Sequence, residues 1–257
     1  MSEALPPVQR WTASDGVELA YREVGSGRPV VLVHGLFSDS VVNWIKFGTA
    51  QALAARNFRV VMPDLRAHGA SSAPHSASDY PPGRLSADLR ELIAQLHLVE
   101  GTYDLGGFSL GARTVVQSVG EGLRPRRAIL GGAGLEGLLG WIRRKDFFVD
   151  TIRDFDTIER GDERWFTVQF MKTMKIDRIA ASHLLAAFEN ARPEWLDAFT
   201  MPTAVICGTE DHDNGSAERL AGALVRARYI AIPGTHMSSV TRPEFGRAIA
   251  DYLDEPL

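Results

Sequence analysis

Gly107-Phe108-Ser109-Leu110-Gly111 is the segment best equipped for chemistry. It lies where an apolar strand pattern gives way to a helical one. A serine between two glycines at such a junction forms a nucleophile elbow, a tight turn that lifts the hydroxyl above the end of a sheet. Side chains at the two flanking positions would collide with the neighbouring strand and helix. The helix that follows directs its first N–H groups toward the point where an attacked carbonyl becomes negative. Outside that setting the same pentapeptide is only a structural turn.

A serine hydroxyl is a weak nucleophile until a base takes its proton, and the base needs an acid to orient it. Both follow the elbow in the chain, the acid first. His236 closes Pro233-Gly234-Thr235-His236 just after a strand, which places it at the same sheet edge as Ser109. His183 falls in a helical stretch, and His212 is too close to the acidic loop to bridge it to the serine. Val205-Ile206-Cys207-Gly208-Thr209-Glu210-Asp211 runs from a strand into that loop and makes Asp211 the expected acid. Glu210 and Asp213 on the same loop, and Glu136 past the preceding strand, are the alternatives. In Val33-His34-Gly35-Leu36-Phe37 the His-Gly turn bares the backbone. The N–H groups of Leu36 and Leu110 are the expected oxyanion donors, with Phe37 as the substitute. His34 is read as a buttress between loops, not as an acid or base.

These residues need a scaffold. Residues 17–24 alternate in polarity like a half-buried strand. Short apolar runs at 30–33, 58–62, 103–107, 128–130, 204–207 and 229–232 read as strands covered on both faces. Helical periodicity at 41–56, 85–98, 110–122, 216–225 and 243–254 separates them. The alternation predicts a mostly parallel sheet between two layers of helices. The first two strands have no helix between them and are expected to pair antiparallel. From Leu135 to Met201 only helical patterns occur, rich in Trp, Phe and Met. The division is therefore a core at 1–134 and 202–257 with a helical cap inserted at 135–201. Most of its rings should pack the cap, and a minority should roof a pocket that selects apolar groups and excludes water. Phe37, Trp44, Phe108 and Met237, each beside a candidate site residue, are expected to line it.

His34-Gly35-Leu36-Phe37, Pro63-Asp64-Leu65-Arg66-Ala67-His68-Gly69-Ala70-Ser71, Gly107 to Gly111, Gly208-Thr209-Glu210-Asp211 and Gly234-Thr235-His236 occur in this order along nearly the whole chain. In order and spacing they resemble the α/β-hydrolase fold superfamily. The resemblance implies an eight-stranded, mostly parallel sheet, Ser109 as nucleophile, Asp211 as acid, His236 as base, Leu36 and Leu110 as oxyanion donors, and no cofactor. It makes Asp64 and Arg66 structural ion-pair residues, in a loop where the family's usual glycine is Ala67. Serine at the elbow argues against epoxide hydrolases and haloalkane dehalogenases, which use aspartate there. Carboxylesterases, lactonases, C–C bond hydrolases and perhydrolases remain. C–C hydrolases often carry a longer glycine run after the His-Gly pair, and Leu36-Phe37 departs from it. The expected activity is that of a carboxylesterase on small to medium apolar esters. The reading outside enzymology is a low-turnover receptor of the same fold.

Composition agrees. The chain has 257 residues, 45% of them hydrophobic, enough for one large α/β domain. With 28 basic and 32 acidic residues its net charge is −4, without the basic footprint of a nucleic-acid binder. The lone Cys207 excludes an internal disulfide or a multi-cysteine metal site, fits a reducing compartment and is read as core packing. Met1 to Pro7 lack a basic start and an apolar run, so no secretory leader is expected. No stretch approaches the roughly 18 to 20 apolar residues of a membrane span. The expected partner is a small ester-like molecule in the cytoplasm, with a homo-oligomer possible. Gly132-Ala133-Gly134-Leu135-Glu136-Gly137 matches a dinucleotide fingerprint, but no strand and acidic residue follow at the required distance, leaving a flexible hinge into the cap. Asp211-His212-Asp213 lacks a second ligand cluster for a metal. The basic runs at 124–127 and 143–145 read as solvated faces.

Overall fold

The computed structural model describes residues 4–256; Met1 to Glu3, part of the segment read as lacking a leader, and Leu257 lie outside the described residues. The chain opens with β1 (Gln9–Thr12), β2 (Glu18–Val24) and β3 (Arg28–Val33). A turn of π-helix at Val41–Ile45 and α1 (Thr49–Ala54) lead to β4 (Phe58–Asp64). Then come α2 (Arg84–Gln95), β5 (Asp104–Phe108), α3 (Leu110–Gly120) and β6 (Arg127–Gly131). Five helices intervene before the next strand: α4 (Leu135–Leu139), α5 (Ile142–Arg153), α6 (Trp165–Thr173), α7 (Arg178–Ala186) and α8 (Glu194–Asp197). The chain closes with β7 (Thr203–Gly208), α9 (Ala217–Ala223), β8 (Ala227–Ile232), α10 (His236–Ser239) and α11 (Pro243–Asp254).

The expected eight-stranded sheet forms, in the order β1-β2-β4-β3-β5-β6-β7-β8. β3 to β8 run parallel, while β2 is antiparallel to both neighbours. One expectation is corrected. β2 and β3, joined by only Gly25-Ser26-Gly27, do not pair with each other; β4 lies between them. The two glycines make this possible. A side chain at Gly25 or Gly27 would strike the carbonyl oxygen of Phe58 or Asn57, so the start of β4 fits against the turn only because none is there. β1 carries too little pattern to be read in advance, with Trp11 its one buried residue.

The central strands bury both faces, which explains their unbroken apolar runs. Val31, Val33, Leu105, Leu130, Val205 and Cys207 face one core with α2, α3, α8 and α9. Val30, Leu32, Ile129, Ala204 and Ile206, the residues in between, face the other with α1 and α11. The period-two alternation thus fills both layers. The helices between β6 and β7 have a third cluster, in which Trp141, Ile152, Phe155, Val168, Met171 and Leu185 pack with Phe37 from the loop after β3. Among the described residues no helix is long and apolar enough to cross a membrane.

Candidate active site

Ser109 is the single residue between β5 and α3, with φ +53° and ψ −111°. A non-glycine residue in that region is strained by about 1–3 kcal/mol and persists only where its surroundings hold it. The surroundings are close. A β-carbon on Gly107 would lie 2.2 Å from the Gly111 carbonyl carbon, and one on Gly111 would lie 2.0 Å from the Val33 oxygen. The two glycines let α3 sit directly against β5 and β3, as the motif requires. Ser109 N–H donates to Gly131 O at 2.8 Å, which ties the turn to β6.

Ser109 Oγ lies 3.0 Å from His236 Nε2, and His236 Nδ1 lies 2.9 Å from Asp211 Oδ2. Ser109 follows β5, Asp211 follows β7 and His236 follows β8, so three strand ends on one sheet edge supply the three groups. Burial alone would raise the Asp211 carboxyl. The hydrogen bond and charge of His236, with the Asp213 N–H and the Cys207 thiol, outweigh it and hold the group below its ordinary value. A buried carboxylate, an imidazole and a hydroxyl joined in this way can move a proton off the hydroxyl and stabilise the imidazolium that results. The other acids lie elsewhere. Glu210 and Asp213 are exposed. Glu136 accepts from Ser216 N–H at 2.7 Å and pairs with Arg219, holding the start of α9.

On the other side of the serine, Gly35 N–H donates to Asn43 Oδ1, Phe37 N–H to His68 Nε2 and Ser38 N–H to Gly35 O. Phe37 is therefore occupied and cannot act as the substitute donor. Among the described residues the N–H groups of Leu36 and Leu110 have no acceptor, which leaves both free for a ligand oxygen.

His34 does buttress, and His68, which motif reading left without a role, does the same. His34 Nδ1–H donates to Gly35 O at 2.8 Å while Nε2 accepts from Leu65 N–H at 2.9 Å. His68 Nδ1–H donates to Arg66 O at 2.9 Å while Nε2 accepts from Phe37 N–H at 3.0 Å. Each ring thus joins the loop after β3 to the loop after β4, and a second proton would turn an acceptor against a donor. Burial pushes both rings down, His68 to about 3, where the charge of His34 adds to the effect. An unfolded histidine takes its proton near pH 6.5. Below that the unfolded chain binds more protons than the folded one, so stability present above about pH 6.5 is lost on acidification. For His68 alone the loss at pH 5 is about 2 kcal/mol. We expect proton uptake on unfolding at pH 5 to fall by about one in His68→Asn. Unchanged uptake would mean the ring titrates normally.

Asp64 and Arg66 do not pair with each other. Asp64 accepts from Ser40 N–H at 2.7 Å and Ala70 N–H at 2.9 Å, binding two loops through backbone groups alone. Arg66 is the ion-pair residue, held by Asp88 at 3.0 Å and Asp15 at 2.8 Å. Ala67 takes φ +68°, the conformation that suits the glycine it replaces.

Phe37 packs edge-on against Phe148 of α5, with ring centroids 5.9 Å apart. Phe108 lies against the His236 ring at 5.0 Å. Trp44 stacks on Phe245 in the core below, and Met237 is exposed at the start of α10. The glycine-rich run is packed and does not form a loose hinge. Side chains on Gly134 or Gly137 would strike Asn214, whose Nδ2 donates to Gly132 O at 2.7 Å, so the run braces the loop that carries Asp211. Cys207 is buried with its thiol 3.6 Å from Asp211 Oδ2, a contact that packing reasoning missed. Among the described residues no cluster of side chains could hold a metal ion.

A family model described as alpha/beta hydrolase fold matches residues 28–127. Over 252 residues the chain is 29% identical to a Synechocystis sp. protein provisionally assigned as a non-heme chloroperoxidase, covering 85% of this chain and 87% of that one. A hydrolase from Pseudomonas aeruginosa superposes with a TM-score of 0.76 at 25% identity, over 96% of this chain and 98% of its own. A thermophilic esterase from Thermogutta terrifontis shares the fold at a TM-score of 0.72 and 24% identity, over 96% and 98% of the two chains. The similarity runs the length of the chain and is not confined to the elbow: the protein has the α/β-hydrolase fold.

Proposed function

We propose that the chain is a cofactor-independent serine hydrolase that cleaves small to medium carboxylic esters through an acyl-enzyme. The observation that carries this reading is the unbroken line from Ser109 Oγ through His236 to Asp211, set beside two unengaged backbone donors. His236 Nε2 takes the Ser109 proton as Oγ attacks the ester carbonyl. Asp211 accepts from Nδ1–H and stabilises the imidazolium. Leu36 and Leu110 N–H hold the oxyanion, where one such donor is worth about 3–4 kcal/mol of barrier. The imidazolium gives its proton to the leaving alcohol. Water, deprotonated by the same ring, then releases the acid and restores the serine. The insertion at 135–201 acts as a cap, and its contact with Phe37 beside Leu36 supports an apolar roof over the bound acyl group.

A second reading has support in the chloroperoxidase relative: the same acyl-enzyme, met by hydrogen peroxide in place of water, releases a peracid. A panel of p-nitrophenyl esters of increasing acyl length tests the first reading and should show turnover with a clear optimum in length. Peracid formation from acetate and peroxide with no ester turnover would replace it with the second. A folded protein inert in both assays would remove both.

A further inference from the structure

Arg113 lies on α3 four residues beyond Ser109, about one helical turn. The two positions share a face of the helix, and a long helical side chain leans back toward the N-terminus, where Ser109 sits. Arg113 is 8% exposed. Of its five N–H donors, it uses one among the described residues, from Nη1 to Leu138 O at 3.1 Å. Among the described residues it makes no ion pair, and Glu189, itself exposed, reaches it only through its field. The other buried arginines are provided for. Arg66 has two carboxylates, and Arg127 has the carbonyls of Tyr252, Glu255 and Pro256.

A buried guanidinium without a counter-charge weakens a fold unless something else compensates it. Burial pushes Arg113 down to about 10, opposed only by Glu189, so it stays cationic at neutral pH. Its guanidinium carbon lies 5.8 Å from the Trp141 ring, and Trp141 Nε1 is itself buried with no acceptor among the described residues. Two under-used donor groups therefore meet at the base of the insertion. Beside Arg113 is a cavity of about 30 Å³, whose lining includes Leu110, Arg113, Thr114, Phe188, Glu189 and Trp195. That is room for about two water-sized groups, the bulk of one carboxylate. Leu110, whose N–H is free beside Ser109, forms one of its walls.

We infer that Arg113 is the anchor of an anion subsite and that the substrate carries a free carboxylate a short distance from the carbonyl attacked by Ser109. The inference rests on the ester-hydrolase reading of Ser109 and narrows it from apolar esters to esters of acids with a second, ionised group. The test compares kcat/KM for esters that carry the carboxylate on the acyl part (monoethyl glutarate) or the alcohol part (butyryl glycolate) with neutral esters of matched length. The wild type should favour at least one charged ester by about tenfold or more, the usual weight of a charged hydrogen-bonded contact. That ratio should fall at least tenfold in Arg113→Met and recover in part in Arg113→Lys. Arg113→Gln is the second neutral variant if methionine does not fold. A second measurement needs no turnover: glutarate should raise the Tm of the wild type and not of the neutral variants. Hydrolysis of neutral esters with no charged preference and no glutarate effect overturns the subsite and leaves the hydrolase reading standing. A glutarate effect that depends on Arg113, in a protein that cleaves no ester, overturns the hydrolase reading and keeps the subsite.

Discussion

Ser109→Ala should lower kcat on p-nitrophenyl esters by about 10⁴- to 10⁶-fold, to the residue of rate that oxyanion donors and binding supply without a nucleophile. The loss is separable from any loss of structure. Alanine at 109 must still adopt φ +53°, so the strain of the turn stays in place. Ser109→Gly should be equally inactive and yet more stable, by about 1 kcal/mol after allowing for the freer unfolded chain. Two inactive variants that differ in stability in this direction would mean that the serine is kept against the interest of the fold. A folded Ser109→Ala enzyme that retained more than a hundredth of the wild-type rate would sink the acyl-enzyme reading.

The elbow and its partners were legible because their chemistry is local. The spacing of Gly107, Ser109 and Gly111 states a steric requirement, and His236 and Asp211 each follow a strand whose apolar run is easily read. What escaped was set by contacts between distant segments. The β2–β4 pairing depends on Asn57 and Phe58 fitting against Gly25 and Gly27, which no periodicity within either strand records. His68 became a partner of Phe37 across 31 residues, through a single ring nitrogen. Trp44 is near the His34-Gly35 turn in sequence, but the π-helical turn at Val41–Ile45 carries it under the sheet onto Phe245. Arg113 was hidden for the opposite reason. Its residue type and helical position are ordinary, and only the lack of a counter-charge in its burial site makes it informative.

The Asp211→Asn variant should lose about 10⁴-fold in kcat, through the proton on the wrong nitrogen and not through lost packing. Asparagine has the shape of aspartate but must place an NH₂ where one carboxylate oxygen was. Oδ1 of Asp211 accepts the Asp213 N–H at 3.2 Å, and Oδ2 accepts His236 Nδ1–H at 2.9 Å. An NH₂ at the first position opposes a fixed backbone donor, so the amide turns the other way and presents its NH₂ to His236. The ring must then accept at Nδ1 and carry its hydrogen on Nε2, pointing at Ser109 Oγ, where an acceptor is needed. The nucleophile faces a donor and keeps its proton. Raising the pH cannot correct a tautomer, so the deficit should persist across the accessible range. Cys207→Ala, which removes only the thiol 3.6 Å from Oδ2, should leave the tautomer correct and cost far less. An Asp211→Asn enzyme within tenfold of the wild type would mean that another group orients His236, and with Glu210 and Asp213 exposed and Glu136 committed to Ser216 and Arg219, the described residues provide no obvious one.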